Sequence, residues 1–286
     1  MEGHIEDFDT LDSRQFVIAL RKLANSLAYG IDKSPFVGSG VEFVQSRPYQ
    51  DGDSIRQIDW RVTARTGRYH VKEYETPKCM PCYLVVDTSA SMTVSAHTRS
   101  KYHTALFIAG GIALAALDRV SPVGVICVGE RALRIQPSLS YGRMMQWLLL
   151  LRSYRFDERT TIGARVSQLM PSLAQRSMFV VLSDLHDPDA MPALKRLSQL
   201  HDCIVLQLED PSERGWRGSG FFRAREAETG REFVTHGRQR WIDPDRSSAE
   251  LKRCGIDHLS IRVDKPFAHS LRQLFRARGW IGKGER

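Results

Sequence analysis

The sequence predicts an α/β protein: a doubly wound, mostly parallel sheet, preceded by a helix and an irregular segment with some β character. Three observations carry this. From Cys82 onward, short apolar runs alternate with longer helical patterns, the signature of βαβ units. The runs themselves (Leu84-Val-Val86, Phe179-Val-Val-Leu182, Ile204-Val-Leu206) are continuous rather than alternating, as strands covered on both faces are. Two of them lead directly into polar residues, Asp87-Thr-Ser89-Ala-Ser91 and Ser183-Asp184. Strand carboxyl ends are where such sheets bind ligands.

The elements follow in order. Leu11 to Ala28 places Phe16, Leu20, Leu23 and Leu27 on one helical face. Asp12 or Ser13 can cap its start and Gly30 its end. Gly38 to Gly67 is rich in Gly, Asp and Arg with few apolar runs, so turns and ion pairs must order it. Val71 to Glu75 alternates as a short strand. Strand 83–87 precedes an apolar helix over 101–118, and strands 123–128 and 133–136 follow. Helices are expected at 142–153 and 162–175, then strand 179–182, helix 189–200 and strand 204–208. A hairpin over Gly220 to Val234 turns at Thr229-Gly230. Helix 246–254, strand 259–263 and helix 267–278 complete the pattern. The expected organisation is residues 1–77 as an N-terminal helix with the Arg/Asp/Gly-rich segment, and residues 78–286 as the α/β domain with a hairpin insertion near 218–236.

Composition limits the classes. The chain has 286 residues, 42% hydrophobic, with a net charge of +8. Its longest apolar stretch, Ala105 to Leu117, falls short of the roughly 20 residues needed to cross a bilayer. The acidic N-terminus lacks a signal-peptide core. The expectation is a soluble, cytoplasmic protein with no transmembrane segment. Five scattered cysteines (Cys79, Cys82, Cys127, Cys203, Cys254) argue against a disulfide framework. Cys79-Met-Pro-Cys82 has redox or zinc spacing, but it leads into a strand and lacks a second pair of ligands. The basic residues are spread without aromatic interleaving, which argues against nucleic acid as the partner.

Asp87, Ser89 and Ser91 put one carboxylate and two hydroxyls on a single turn. Such a turn can hold a divalent cation with few negative charges, leaving it able to capture a carboxylate from another molecule. Mg²⁺ takes six oxygens in near-octahedral array at roughly 2.1 Å and keeps several as water. Ser183-Asp184 and the loop Arg159-Thr160-Thr161-Ile162-Gly163 are expected beside it. The plainer alternatives are that Asp87 and Ser89 cap a turn and that Asp184 caps helix 189–200. His186 lies near Asp184 and Asp187 as a loop histidine. No phosphate loop, His-Glu-x-x-His or Gly-x-Ser-x-Gly motif is present.

Asp-x-Ser-x-Ser after a buried strand resembles the metal-ion-dependent adhesion site of von Willebrand factor A domains. That resemblance implies hydroxyl ligands from Ser89 and Ser91. It implies Asp87 and Asp184 acting directly or through bound waters, and an oxygen from Thr160, with Thr161 as the alternative. The aspartate usual after that threonine is Thr161 here. The stretches Gly40-Val-Glu42-Phe43, Arg47-Pro-Tyr49, Gly52-Asp53, Arg56-Gln-Ile58-Asp59-Trp60, Ala64-Arg65, Val71-Lys72-Glu73 and Asp210-Pro211-x-Glu213 resemble the bacterial and archaeal family catalogued as domain of unknown function 58. The resemblance implies Mg²⁺, with Mn²⁺ able to replace it, and a protein partner that supplies an Asp or Glu. It also implies an adaptor or chaperone-like role beside a MoxR-type AAA+ ATPase. The rival readings are a metal-dependent phosphoesterase or nuclease, and a basic nucleic-acid-binding scaffold. Arg56, Asp59, Arg61 and Arg65, with Trp60 as apolar anchor, form either an internal ion-pair brace or a partner-docking surface.

Overall fold

The structure is a computed structural model that describes residues 2–4, 13–28, 42–75, 80–97, 99–130, 133–155, 157–173, 175–214, 221–225, 227–228, 230–236 and 244–278. Cys79, Gly30, Gly40 and Thr229 of the sequence reading lie outside them, as does the tail beyond Arg278. In chain order the elements are β1 (Glu2–His4), α1 (Ser13–Ala28), β2 (Glu42–Pro48), α2 (Trp60–Thr66), β3 (His70–Glu75), β4 (Cys82–Val86), α3 (Ala90–Thr93) and α4 (Lys101–Leu117). Then come β5 (Val123–Cys127), β6 (Arg134–Ser138), α5 (Tyr141–Leu151), β7 (Ser153–Arg155), α6 (Ile162–Leu169), β8 (Met178–Ser183), α7 (Ala190–Leu200) and β9 (Asp202–Glu209). The hairpin strands β10 (Phe221–Arg225) and β11 (Glu232–His236), α8 (Pro244–Arg253), β12 (Asp257–Arg262) and α9 (Ala268–Ala277) follow. The chain divides into two compact units, residues 1–31 with 80–286, and residues 32–79.

The larger unit is a mixed α/β structure of Rossmann-like type. Its six-stranded sheet has the order β12-β9-β8-β4-β5-β6. All neighbours are parallel except β6, which runs antiparallel to β5 at the edge. The short connection between β5 and β6 permits that reversal, whereas parallel neighbours need a crossover. Successive strand residues point to opposite faces, and the core divides accordingly. Leu84, Val86, Val180, Leu182, Ile204 and Leu206 join one buried cluster with residues of α1, α4, α5 and α9. Tyr83, Val85, Phe179, Val181 and Val205 join the other, with residues of α6, α7 and α8.

Helix α4 is buried along nearly its whole length, so it carries no polar stripe. One side is covered by α1 at close range. A Cβ on Gly110 would stand 2.8 Å from Leu20 Cδ2, and one on Gly111 2.5 Å from Leu23 Cδ2. These glycines let the leucines of α1 seat against the α4 backbone. The helix expected to group with the segment after it therefore packs with the sheet instead. The boundary expected at residue 77 becomes an insertion, residues 32–79, between α1 and the sheet.

The smaller unit is a β2–β3 antiparallel hairpin with a bulge between Phe43 and Gln45, and α2 inside its connection. Asp59 starts α2 by accepting the backbone N–H groups of Arg61 and Val62, and Gly67 ends it at φ 69°, as capping rules require. The Ser46 hydroxyl donates to Asp59 at 2.6 Å. That bond, with the backbone donors, holds the Asp59 carboxyl below the usual range. The expected brace of Asp59 with Arg56, Arg61 and Arg65 is not what forms. The three arginines are exposed, Trp60 is 64% exposed, and Asp59 is engaged by Ser46 and the α2 backbone. Arg47 and Asp53 form a bidentate ion pair in this unit, both bonds 2.7 Å.

Smaller differences have local causes. The helix expected over 162–175 ends at Leu169 and continues as a 3₁₀ turn over Met170–Ser172, because Pro171 has no N–H to extend an α-helix. Strand β2 and helix α2 come from a segment whose polar composition hides both periodicities.

Candidate functional site

In an open α/β sheet the binding crevice forms where connections leave neighbouring strands toward opposite faces. Here that point lies between β4 and β8. The chain leaves β4 toward α4 on one face and leaves β8 toward α7 on the other. Asp87 follows β4 and Asp184 follows β8, so the topology brings both carboxylates to the one crevice.

Each loop is tied down by its own side chains. Asp87 Oδ1 accepts the Ser89 N–H at 3.0 Å. Its Oδ2 accepts the Ser183 hydroxyl at 2.5 Å and lies 3.4 Å from the Thr160 hydroxyl. The Ser89 and Ser91 hydroxyl oxygens face each other at 3.0 Å. Thr88 donates to Glu158 Oε2 at 2.8 Å, and the Glu158 carbonyl accepts the Ala90 N–H at 2.8 Å. Gly129 makes room for that contact, since a Cβ there would lie 2.1 Å from Thr88 Oγ1. Asp187 spans the other side, accepting the Gly163 and Asp189 N–H groups, both at 2.9 Å. Leu185, directly after Asp184, is held at φ 61°, a left-handed conformation that is costly for a non-glycine residue and recurs at functional sites.

The two threonines are separated by their contacts. Thr161 donates its hydroxyl to the Val128 and Gly129 carbonyls at 3.0 and 2.9 Å. Thr160 is the one whose hydroxyl reaches Asp87. Ser89, Ser91, Thr160, Asp87 and Asp184 thus belong to one cluster. Arg56, Asp59, Trp60, Arg61 and Arg65 belong to the smaller unit.

The electrostatics are uneven. Burial, with the nearby Asp184 charge as a second cause, pushes the Asp87 carboxyl up to about 7. Burial is the largest influence on Asp184 and opposes its charge, but the Lys101 ammonium, His186 and the Ser91 hydroxyl together outweigh it and hold that carboxyl below its ordinary value. Lys101 opens α4 fully buried, with Nζ 2.7 Å from Asp184 Oδ2, and also bonds Glu213. The two carboxylates raise its pKa against the opposing effect of burial. Glu213 shares that lysine with Asp184, and burial prevails there, so its own pKa is raised. His186 places Nδ1 3.3 Å from Asp184 Oδ2. The result is one carboxylate whose charge is matched, Asp184, and one, Asp87, that has no matching cation among the described residues.

Lys101 and Glu228, which lies beside Thr160, were not legible as site residues. Lys101 reads in sequence as the solvated first residue of an apolar helix, and Glu228 as a hairpin-turn residue. Glu213 had a signal only in the Asp210-Pro211-x-Glu213 stretch. Of the Cys79/Cys82 spacing only Cys82 lies among the described residues: burial pushes its thiol up to about 12, which makes it an inert core residue.

The donor set suits a hard cation through hydroxyl and carboxylate oxygens. Among the described residues no group of three or more His, Cys, Asp or Glu side chains is placed to hold a metal. Any cation here depends on Ser89, Ser91 and Thr160. The separation of the serine oxygens matches adjacent corners of an octahedron with bonds of roughly 2.1 Å, about 3.0 Å. It equally matches a hydrogen bond between them.

The six-stranded, mostly parallel sheet flanked by helices defines an α/β protein of Rossmann-like fold, with a hydroxyl and carboxylate cluster at its switch point. The chain belongs to the family described as Protein of unknown function DUF58, which matches residues 45–247. Uncharacterized proteins of Mycobacterium bovis and Mycobacterium tuberculosis are 26% identical to it over 268 residues, covering 88% of this chain and 84% of theirs. A crystal structure of an uncharacterized membrane-spanning protein from Vibrio fischeri is 16% identical, covers 70% of this chain and 96% of its own, and superposes with a TM-score of 0.21. The cytoplasmic reading of the sequence is not kept, and no location is assigned in its place. No helix among the described residues is long and apolar enough to cross a membrane.

Proposed function

We propose that this protein is a Mg²⁺-dependent protein-interaction module of the von Willebrand factor A type, in which a partner's Asp or Glu completes the cation's shell. The observation that carries the reading is the facing pair of Ser89 and Ser91 hydroxyls between Asp87 and Asp184 at the switch point. Ser89, Ser91 and Thr160 would hold the ion with neutral oxygens. Asp87 would supply the charge, and Asp184, already matched by Lys101, would act from the side. A cation held by so few net negative charges stays electrophilic, and an acidic side chain is the natural ligand for it.

The family resemblance supports a MoxR-type AAA+ ATPase as partner and an adaptor or chaperone-like role. Trp60, Arg56, Arg61 and Arg65, exposed on the smaller unit, are of the residue types that anchor interfaces and make a second contact surface in this reading. Asp59 contributes there by holding α2. Retention of a MoxR-type ATPase on the immobilised protein is expected in Mg²⁺. EDTA or Ser91→Ala should weaken it by about tenfold or more, as loss of metal-site residues does. Undiminished retention under both treatments would refute the mechanism.

A further inference from the structure

The β10–β11 hairpin leaves the sheet after β9 and is largely exposed, with Phe221 and Val234 open to solvent. A two-stranded hairpin gains little stability by itself, so its contacts with the rest of the larger unit matter. One of them is made by Glu228, in the turn between the strands. Glu228 Oε2 accepts the backbone N–H of Thr160 at 3.4 Å. Its other oxygen, Oε1, is buried, and no donor among the described residues reaches it. A buried carboxylate oxygen without a donor is costly and calls for an explanation.

The surroundings of Glu228 supply one. Burial and the Asp184 charge oppose its ionisation, while the Thr160 backbone and the Ser91 hydroxyl favour it. Thr160, Ser91 and Asp184 are three of the five residues of the cation site proposed above. A carboxylate that served only to fasten the hairpin to Thr160 would need one oxygen. This one also keeps its second oxygen buried and without a donor among the described residues, in a carboxylate that the Ser91 hydroxyl influences.

We propose that Glu228 is a cation-facing carboxylate of this site and the chain's own stand-in for a partner's acid, so that an incoming Asp or Glu must displace the hairpin turn to bind. The proposal rests on the reading of the cluster as a cation site. It adds a regulatory element: the free protein holds its site closed with a tethered acid, and a partner competes against that acid's high local concentration.

Glu228→Gln keeps an acceptor for the Thr160 N–H and removes the charge. With Mn²⁺ as probe, electron paramagnetic resonance should show affinity for the variant lowered by about tenfold. Water-proton relaxation should show one more exchangeable water on the bound ion. Acetate, standing in for the partner's carboxylate, should bind the Mn²⁺-loaded variant about tenfold more tightly than the loaded wild type. If wild type binds Mn²⁺ and the variant matches it in affinity, bound water and acetate binding, Glu228 only fastens the hairpin; this proposal falls and the cation site stands. If wild type binds no Mn²⁺, both fall.

Discussion

Replacing Lys101 with methionine is expected to destabilise the larger unit by about 3–5 kcal/mol at pH 8, the cost of leaving a buried charge without its partner. Lys101 is fully buried, and its ammonium is shared between Asp184 and Glu213. Methionine fills a similar volume but leaves both carboxylates facing each other. The pH dependence follows from the shifts. Lys101 has its pKa raised above 10.5, so its contribution is fully present below that value and is lost only as pH rises through the folded value. Asp184 has its pKa lowered, so its contribution is present above the ordinary 3.8 and is lost as pH falls through the folded value. The wild-type Lys101–Asp184 pair is therefore intact across neutral pH, while Glu213, raised by burial, contributes in the opposite direction, losing stability as pH rises through its folded value. In Lys101→Met the carboxylates are better protonated, and the deficit should shrink as pH falls from 8 toward 4. Urea denaturation at the two pH values measures this. A loss below about 1 kcal/mol at pH 8 would show that the triad contributes no more than an exposed ion pair does.

The second large effect has the opposite sign. Asp87→Asn, with EDTA present, is expected to stabilise the protein above pH 7. Folding raises the Asp87 pKa from 3.8 to about 7. A carboxyl raised in this way contributes stability that is fully present below 3.8 and lost as pH rises through 7. The shift sets a ceiling of about 4 kcal/mol at pH 8. Asparagine does not ionise, so the variant should match wild type near pH 4 and gain progressively through pH 7. Thermal melts across that range report the difference, and a variant less stable than wild type at pH 8 would contradict the account. A buried charge kept at a cost to stability is expected where function requires it.

Much of the fold could be read before any coordinate, because a buried parallel sheet writes itself as apolar runs. Leu84 to Val86 and Phe179 to Leu182 need no context to be recognised as strands, and the turn residues after them announce the binding edge. What stayed hidden depends on contacts distant in sequence. Nothing around Phe16 to Leu27 says which surface that helix covers; Gly110 and Gly111, some ninety residues away, decide it. Lys101 carries the usual marks of an exposed helix start, and only the folded chain shows its ammonium 2.7 Å from Asp184. Asp59 among three arginines suggested an ion-pair network, but a hydroxyl and two backbone N–H groups reach it first. Glu228 carries no motif at all; the hairpin's return toward Thr160 gives it meaning.

In the proposed function Ser89, Ser91 and Asp87 form a cation site and not merely a turn. A Mn²⁺ titration followed by electron paramagnetic resonance, with Mg²⁺ in competition, tests it directly on wild type, Asp87→Ala and Ser91→Ala. A single site is expected in wild type, displaced by Mg²⁺ and lost in both variants. No binding by wild type, or equal binding by all three proteins, would mean that these residues only shape the end of β4, and the interaction surface would then have to be sought at Trp60 and its arginines.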